Sequence, residues 1–151
     1  MRLHETGRAG SILLAAASLS ALVGTGCYGT GSLSKSELVD EANAICKPHT
    51  KKIRAAADKL PAGGQSRSPR SSKLARGTIE PQLRAQITGL RGLKPPDELA
   101  QEYTKWLDDS DRALGRMTKD QSLITSAANF EAVNREAAAL GVSRDCYIGP
   151  G

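Results

Sequence analysis

The chain contains three cysteines and few histidines, and these are the side chains with the most specific chemistry. The cysteines are Cys27, Cys46 and Cys146, and His49 follows Cys46 by three residues. On a predicted helix this spacing puts the thiol and the imidazole one turn apart, where they can share a metal ion or act as nucleophile and base. A structural zinc needs three or four ligands, and the other histidine is His4, near the N-terminus. We therefore predict no metal and no cofactor, and the thiol nucleophile stays open as an alternative.

Carboxylates are the second candidate chemistry. Glu98 and Glu102 lie one turn apart, as many solvated pairs do. Asp108, Asp109 and Asp111 fall on the same predicted helix but point in different directions, which predicts a solvated face rather than a cation site. With no glycine-framed serine motif, the residues favour a binding or structural role, and a hydrolase is the weaker alternative.

The N-terminal segment has the pattern of an export signal. Residues 11–23 are uncharged and apolar or small, and they follow a weakly basic start. This run is too short to span a bilayer and has the length of a signal-peptide core. We therefore predict that residues 1–26 are a signal peptide.

The triplet at residues 24–26, Gly-Thr-Gly, ends this segment directly before Cys27. The segment resembles a bacterial lipoprotein signal peptide, in which the cysteine after the cut carries diacylglycerol. The resemblance implies lipidation of Cys27 and a protein anchored on the extracytoplasmic face of the cell membrane. Such signals usually have Leu where this chain has Gly24, and Gly24 with Gly26 also fits ordinary secretory cleavage. Free secretion is therefore the alternative.

Residues 27–34 are rich in glycine and serine, which predicts a flexible tether with a reach of roughly 15 Å. An exported chain enters an oxidising compartment, where an odd thiol needs an explanation. If Cys27 is acylated, Cys46 and Cys146 can form a disulfide. This bridge would close a loop of about 100 residues and contribute roughly 4 to 5 kcal/mol in the chain-entropy model.

The remaining residues, 35–151, predict one all-α domain, an antiparallel bundle of about four helices stapled by this disulfide. Ser34 and Glu37 form a capping-box pattern at the start of the first helix, and Pro48 predicts a kink within it. Residues 61–72 read as a mobile basic loop, and the regular part of the second helix is expected to begin around Thr78. Pro96 is expected at the first position of the third helix.

A fourth helix is predicted over residues 120–140, with Leu123 on its apolar face and a C-terminal cap at Gly141. On the third helix, Trp106 is expected to anchor the core. The alternative is that Tyr103 and Trp106 line a ligand groove between helices.

Charge is unevenly distributed along the chain, whose formal net charge is +5. Residues 47–91 include eleven lysines and arginines but only two acidic residues, Asp58 and Glu80. The simplest interpretation is that basic and acidic helix faces partly neutralise each other in the fold. The alternative is a polyanion-binding surface, whose candidate residues are Lys51, Lys52, Arg54, Arg67 and Arg70. Nucleic acid is not an expected partner, because this stretch has no interleaved aromatic residues for base stacking.

Three motifs in the mature chain resemble a group of small actinobacterial secreted proteins and lipoproteins. They are "ANAIC" at Ala42–Cys46, "LKPPDELAQEYTKW" at Leu93–Trp106, and "LGVSRDC" at Leu140–Cys146. The resemblance implies a helical exported domain with the Cys46–Cys146 bridge, and it transfers no catalytic residue.

These observations lead to one functional expectation. The protein is expected to be an envelope-anchored lipoprotein with a non-catalytic binding or structural role at the cell surface. The membrane would be its partner through the N-terminal lipid, and anionic lipid head groups or wall polymers would be partners of the basic surface. A freely secreted helical binding protein is the alternative.

Overall fold

A computed structural model describes residues 31–60 and 68–149 of the chain, and in these ranges the fold is all-α. The helices are α1 (Lys35–Ala57), α2 (Pro69–Leu74), α3 (Glu80–Arg91), α4 (Ala100–Lys119) and α5 (Ala127–Leu140). A π-helical turn joins α2 to α3, so they form one helical segment and the bundle has four. The predicted fold class and its disulfide are confirmed. No helix in the described part of the chain has both the length and the apolar character needed to cross a membrane.

Side-chain and backbone contacts show that successive helical segments run in opposite directions. The start of α1 lies beside the end of α3, because the N–H of Leu33 donates to the carbonyl of Lys94 at 2.8 Å. The start of α4 meets the end of α3, because the Tyr103 hydroxyl donates to the carbonyl of Leu90. At the far end of α4, Arg116 donates to Asn129, which lies near the start of α5.

The capping box at the start of α1 is present as predicted. The Ser34 hydroxyl accepts the N–H of Glu37, whose carboxylate accepts the N–H of Ser34. The helix continues across Pro48 as one element. The tether predicted for residues 27–34 ends before Leu33. Leu33 belongs to the folded domain, because it is half-buried against the core and its N–H bonds to the carbonyl of Lys94.

The second helical segment begins earlier than the pattern predicts. Ser68 caps its N-terminus and Pro69 occupies the first turn, so residues 69–72 of the predicted loop are helical. The segment continues through a π turn over Ala75–Ile79, in which the N–H of Glu80 bonds to the carbonyl five residues back, so the regular part begins at Glu80 rather than around Thr78. Pro81 lacks an N–H and crowds the preceding turn, and a wider turn directly before it relieves that conflict.

The last two predicted helix starts are also corrected. Pro96 is the N-cap of a 3₁₀ turn, and α4 begins only at Ala100. The predicted fourth helix is divided into a 3₁₀ turn, Gln121–Thr125, and α5. The division changes the helical phase, so Ile124 is buried in place of the predicted Leu123. The C-terminal cap is confirmed, since Gly141 is left-handed with φ of 88°.

Candidate functional site

The disulfide between Cys46 and Cys146 joins the middle of α1 to the C-terminal tail, residues 143–149, and both cysteines are fully buried. Cys46 is therefore unavailable as a nucleophile or a metal ligand. The Nδ1 atom of His49 instead lies 2.9 Å from the amide oxygen of Gln82 on α3. In the described ranges, no group of three or more histidine, cysteine or acidic side chains is placed to hold a metal.

Four polar side chains from three helices hold the C-terminal tail. The Thr50 hydroxyl donates to the carbonyl of Asp145, and the Gln86 amide donates to the carbonyl of Cys146. Asn43 accepts the N–H of Ser143, and Asn134 makes two hydrogen bonds to the backbone of Ile148. These residues satisfy the backbone of a segment that has no regular structure beyond one 3₁₀ turn. Sequence reasoning did not single them out, because nothing local to them indicates a partner 14 to 100 residues away.

The fixed tail forms one wall of a cavity of about 690 Å³. Its other walls come from the C-terminal half of α1, from the π turn and α3, and from the region where α4 ends. The floor consists of buried apolar side chains: Ile79, Leu83, Met117 and Ile124. The cavity is partly open to solvent, and polar side chains such as Arg54, Thr125 and Arg144 line it together with the apolar ones.

Two arginines lie at the rim of this cavity. Arg54 extends from α1, its side chain 65% exposed, and pairs with Asp145 of the tail at 3.2 Å. Arg144 is exposed on the tail and forms no ion pair with any described residue. The rim therefore carries an excess of positive charge above an apolar floor.

A separate basic cluster lies where α1 ends. Lys59, Arg70 and Lys73 line one surface depression beside the start of α2. We call these three residues the basic end. Of the predicted polyanion-binding residues, Arg70 belongs to it, and Lys51 and Lys52 are exposed on α1 nearby in sequence.

The remaining candidates have simpler placements. Arg54 faces the cavity and is already paired with Asp145, whereas Arg67 and Cys27 lie outside the described residues. Sequence reasoning named neither Lys59 nor Lys73 as a site residue. Lys73 follows Arg70 by three residues on α2 and so lies one helical turn away. Lys59 comes close to them only through the packing of α1 against the second helical segment.

Tyr103 and Trp106 belong to the core, with 2% and 1% of their surfaces exposed. Their rings meet edge to face at a centroid distance of 5.6 Å, and burial raises the pKa of the Tyr103 hydroxyl. The alternative that they line a ligand groove is therefore wrong for this structure. Helical periodicity placed them on the inner face of α4, and α3 and α5 cover that face.

The three aspartates of α4 are engaged in ion pairs at the surface. Arg91 bonds Asp108 and Asp111, each at 2.7 Å, and these bonds raise the pKa of its guanidinium. Lys105 bonds Asp109 at 2.6 Å and lowers the pKa of that carboxyl to about 2. These pairs make the face a solvated one, as the sequence predicts, and Glu98 and Glu102 are exposed.

No family model, curated protein or solved structure matches this chain. The cavity and the basic end are the two candidate binding sites in the described part of the chain.

Proposed function

We propose that this protein is a lipoprotein, held on the extracytoplasmic face of the cell membrane by a diacylglyceryl group on Cys27, and that it acts by binding rather than by catalysis. The observation that carries the proposal is the Cys46–Cys146 bridge. It pairs two of the three cysteines and leaves Cys27 as the odd one, directly after an apolar segment of signal-peptide length. A bridge of this kind is typical of exported proteins, and the likeness to small actinobacterial lipoproteins supports the same role.

The tether and the basic end lie at opposite ends of α1, and this placement bears on which partner the basic end contacts. The tether from Cys27 reaches the domain at Leu33, beside the start of α1, whereas the basic end follows the last turn of this helix. At 1.5 Å per residue, the 23 residues of α1 span about 34 Å. Six flexible residues have a root-mean-square end-to-end distance of roughly 14 Å and a full extension of roughly 20 Å, both shorter than α1. We therefore propose that the basic end faces away from the membrane and contacts anionic wall polymers, and that lipid head groups are the alternative partner.

The intact mass of the protein extracted from membranes tests the lipid. The expected species starts at Cys27, is heavier by a diacylglyceryl group, and reacts with two equivalents of alkylating reagent only after reduction. A full chain carrying Cys27→Ser should lose the added mass and leave the membrane fraction. An unmodified wild-type chain in the medium would overturn lipidation and support free secretion.

Sedimentation with isolated cell walls tests the polymer contact, using the full chain with Cys27→Ser so that the lipid contributes nothing. Reversing the charges of Lys59, Arg70 and Lys73 to Glu should abolish cosedimentation at low salt. The matched control reverses three exposed lysines nearer the start of α1, Lys35, Lys47 and Lys94, and should retain it. Equal loss of cosedimentation in both variants would show that binding depends only on the net charge of the protein, and it would overturn the assignment to the basic end. Binding to anionic vesicles but not to walls would favour lipid head groups.

A further inference from the structure

We infer that the cavity beside the C-terminal tail binds a single-chain amphiphile with an anionic head group, its acyl chain on the apolar floor and its head group at Arg144 and Arg54. This site is distinct from the basic end, and the inference does not depend on lipid at Cys27. The cavity of about 690 Å³ lies within the range of 300–1,000 Å³ typical of small-molecule sites.

The floor selects for an apolar chain. Half-buried Ile53, Leu60 and Tyr147 supply apolar surface that a ligand in the cavity can contact. The floor residues Ile79, Leu83, Met117 and Ile124 are each at least 93% buried and complete the apolar lining. A sugar or a nucleotide would leave most of its polar groups without partners against such a floor. An acyl chain instead becomes more tightly bound with each methylene that it buries.

The rim selects for a negative head group. The guanidinium of Arg144 has no acidic partner among the described residues, so an anion that binds it displaces no existing ion pair. Arg54 lies across the same opening, and its pair with Asp145 is exposed and therefore weak enough for a ligand carboxylate or phosphate to share the guanidinium. Two arginines against one aspartate repel a cationic head group.

The tail makes the site preorganised. Arg144 and Tyr147 lie on either side of Cys146, whose disulfide and whose hydrogen bond from Gln86 fix the tail to α1 and α3. The wall and the backbone that carries Arg144 are therefore held in place before a ligand binds, which reduces the entropy lost on binding.

Displacement of a fluorescent long-chain fatty acid tests the site, with stoichiometry from native mass spectrometry. The full chain with Cys27→Ser serves as the parent, because it removes the lipid of the chain itself as a competitor. We expect saturable binding of one hexadecanoate per chain, and affinity about tenfold lower for hexadecanol, which has the same chain but no charge. Hexadecyl phosphate provides the second arm: a preference for it indicates a phosphate-bearing lipid, and a preference for hexadecanoate indicates a free fatty acid.

Two pairs of variants locate the ligand. Ala57→Phe places a ring at the cavity mouth and should lower affinity at least tenfold, whereas Ala55→Phe, exposed on the same helix but away from the cavity, should leave it unchanged. Arg144→Gln should weaken hexadecanoate about tenfold and hexadecanol little, and Arg144→Lys should recover most of the loss. All three positions are solvent-exposed, and a melting curve for each of the four variants confirms folding.

Three results would overturn the inference. The first is the absence of saturable binding to the parent chain, which is also the result expected if the cavity is filled by the chain itself. The second is an equal effect of Ala57→Phe and Ala55→Phe. The third is equal affinity for hexadecanoate and hexadecanol, which would leave an apolar pocket with no selectivity for anions.

Discussion

The carboxamide of Asn134 on α5 pairs with the backbone of Ile148 through two hydrogen bonds. Its Nδ2 donates to the carbonyl of Ile148 at 3.1 Å, and its Oδ1 accepts the N–H of Ile148 at 2.9 Å. The side-chain amide thus bonds both backbone polar groups of Ile148, as a neighbouring strand would in a β-sheet. This pair fixes the end of the chain beside the cavity.

Asn134→Asp should therefore destabilise the protein near neutral pH. The carboxylate still accepts the N–H of Ile148, but its second oxygen faces the carbonyl oxygen and replaces a donor by an acceptor. We expect a loss of about 1 to 3 kcal/mol in the free energy of unfolding, measured by urea denaturation at pH 7. Protonation restores a donor, so the difference from wild type should shrink at pH 3. A penalty of equal size at both pH values would contradict the paired geometry.

Gly149 tests the packing of the same tail. Its φ is +75°, and a Cβ at this position would lie 2.1 Å from Cδ2 of Phe130. Gly149→Ala should therefore lower the unfolding free energy by about 2 kcal/mol or more. Gly115→Ala is the control, because nothing lies within 4 Å of its Cβ position in α4, and it should stabilise the protein by about 0.5 to 1 kcal/mol. Equal effects at the two glycines would exclude close contact of the tail with Phe130.

The disulfide should provide a large part of the stability. A double variant, Cys46→Ala with Cys146→Ala, should lose roughly 4 to 5 kcal/mol in urea unfolding, because the bridge spans 100 residues. Wild-type protein in reducing buffer should lose a similar amount. Coincident urea midpoints for oxidised wild type and the double variant would show that the bridge contributes no stability.

Asp109 should contribute stability that depends on pH. The Lys105 ammonium is the main cause that lowers its pKa to about 2 from an ordinary value of 3.8. A carboxyl whose pKa is lowered in the folded state stabilises above its unfolded pKa, and this stability is lost as the pH falls from about 4 towards 2. Asp109→Asn should therefore lower the unfolding free energy by about 1 kcal/mol at pH 6 and match wild type at pH 2.

Glu131→Gln is the matched control for this prediction, because Glu131 forms an exposed pair with Arg135 within a single helix. We expect it to change the unfolding free energy by no more than about 0.5 kcal/mol. A difference between Asp109→Asn and wild type that is constant from pH 6 to pH 2 would show that the charge of Asp109 does not stabilise the fold.

Much of the fold was predictable because its signals are local. The capping box at Ser34, the left-handed cap at Gly141 and the apolar stripe through Trp106 depend on residues within a few positions of each other. The helix starts were less predictable where proline conflicts with periodicity. The π turn before Pro81 and the 3₁₀ turn after Pro96 are local adjustments that an average helical period does not describe.

The pairing of Cys46 with Cys146 needed only a count of cysteines and the expectation of an oxidising compartment, so the sequence by itself determined it once Cys27 was set aside. The cavity, in contrast, could be recognised only in the tertiary structure. Arg144 and Arg54 meet at one rim because the bridge and the side chains of Thr50 and Gln86 hold the tail against α1 and α3. These contacts join residues 60 to 100 positions apart, and hydrogen-bonding side chains have no periodicity that would reveal such partners. Local sequence determined the helices, and long-range packing determined where a cavity forms between them and the tail.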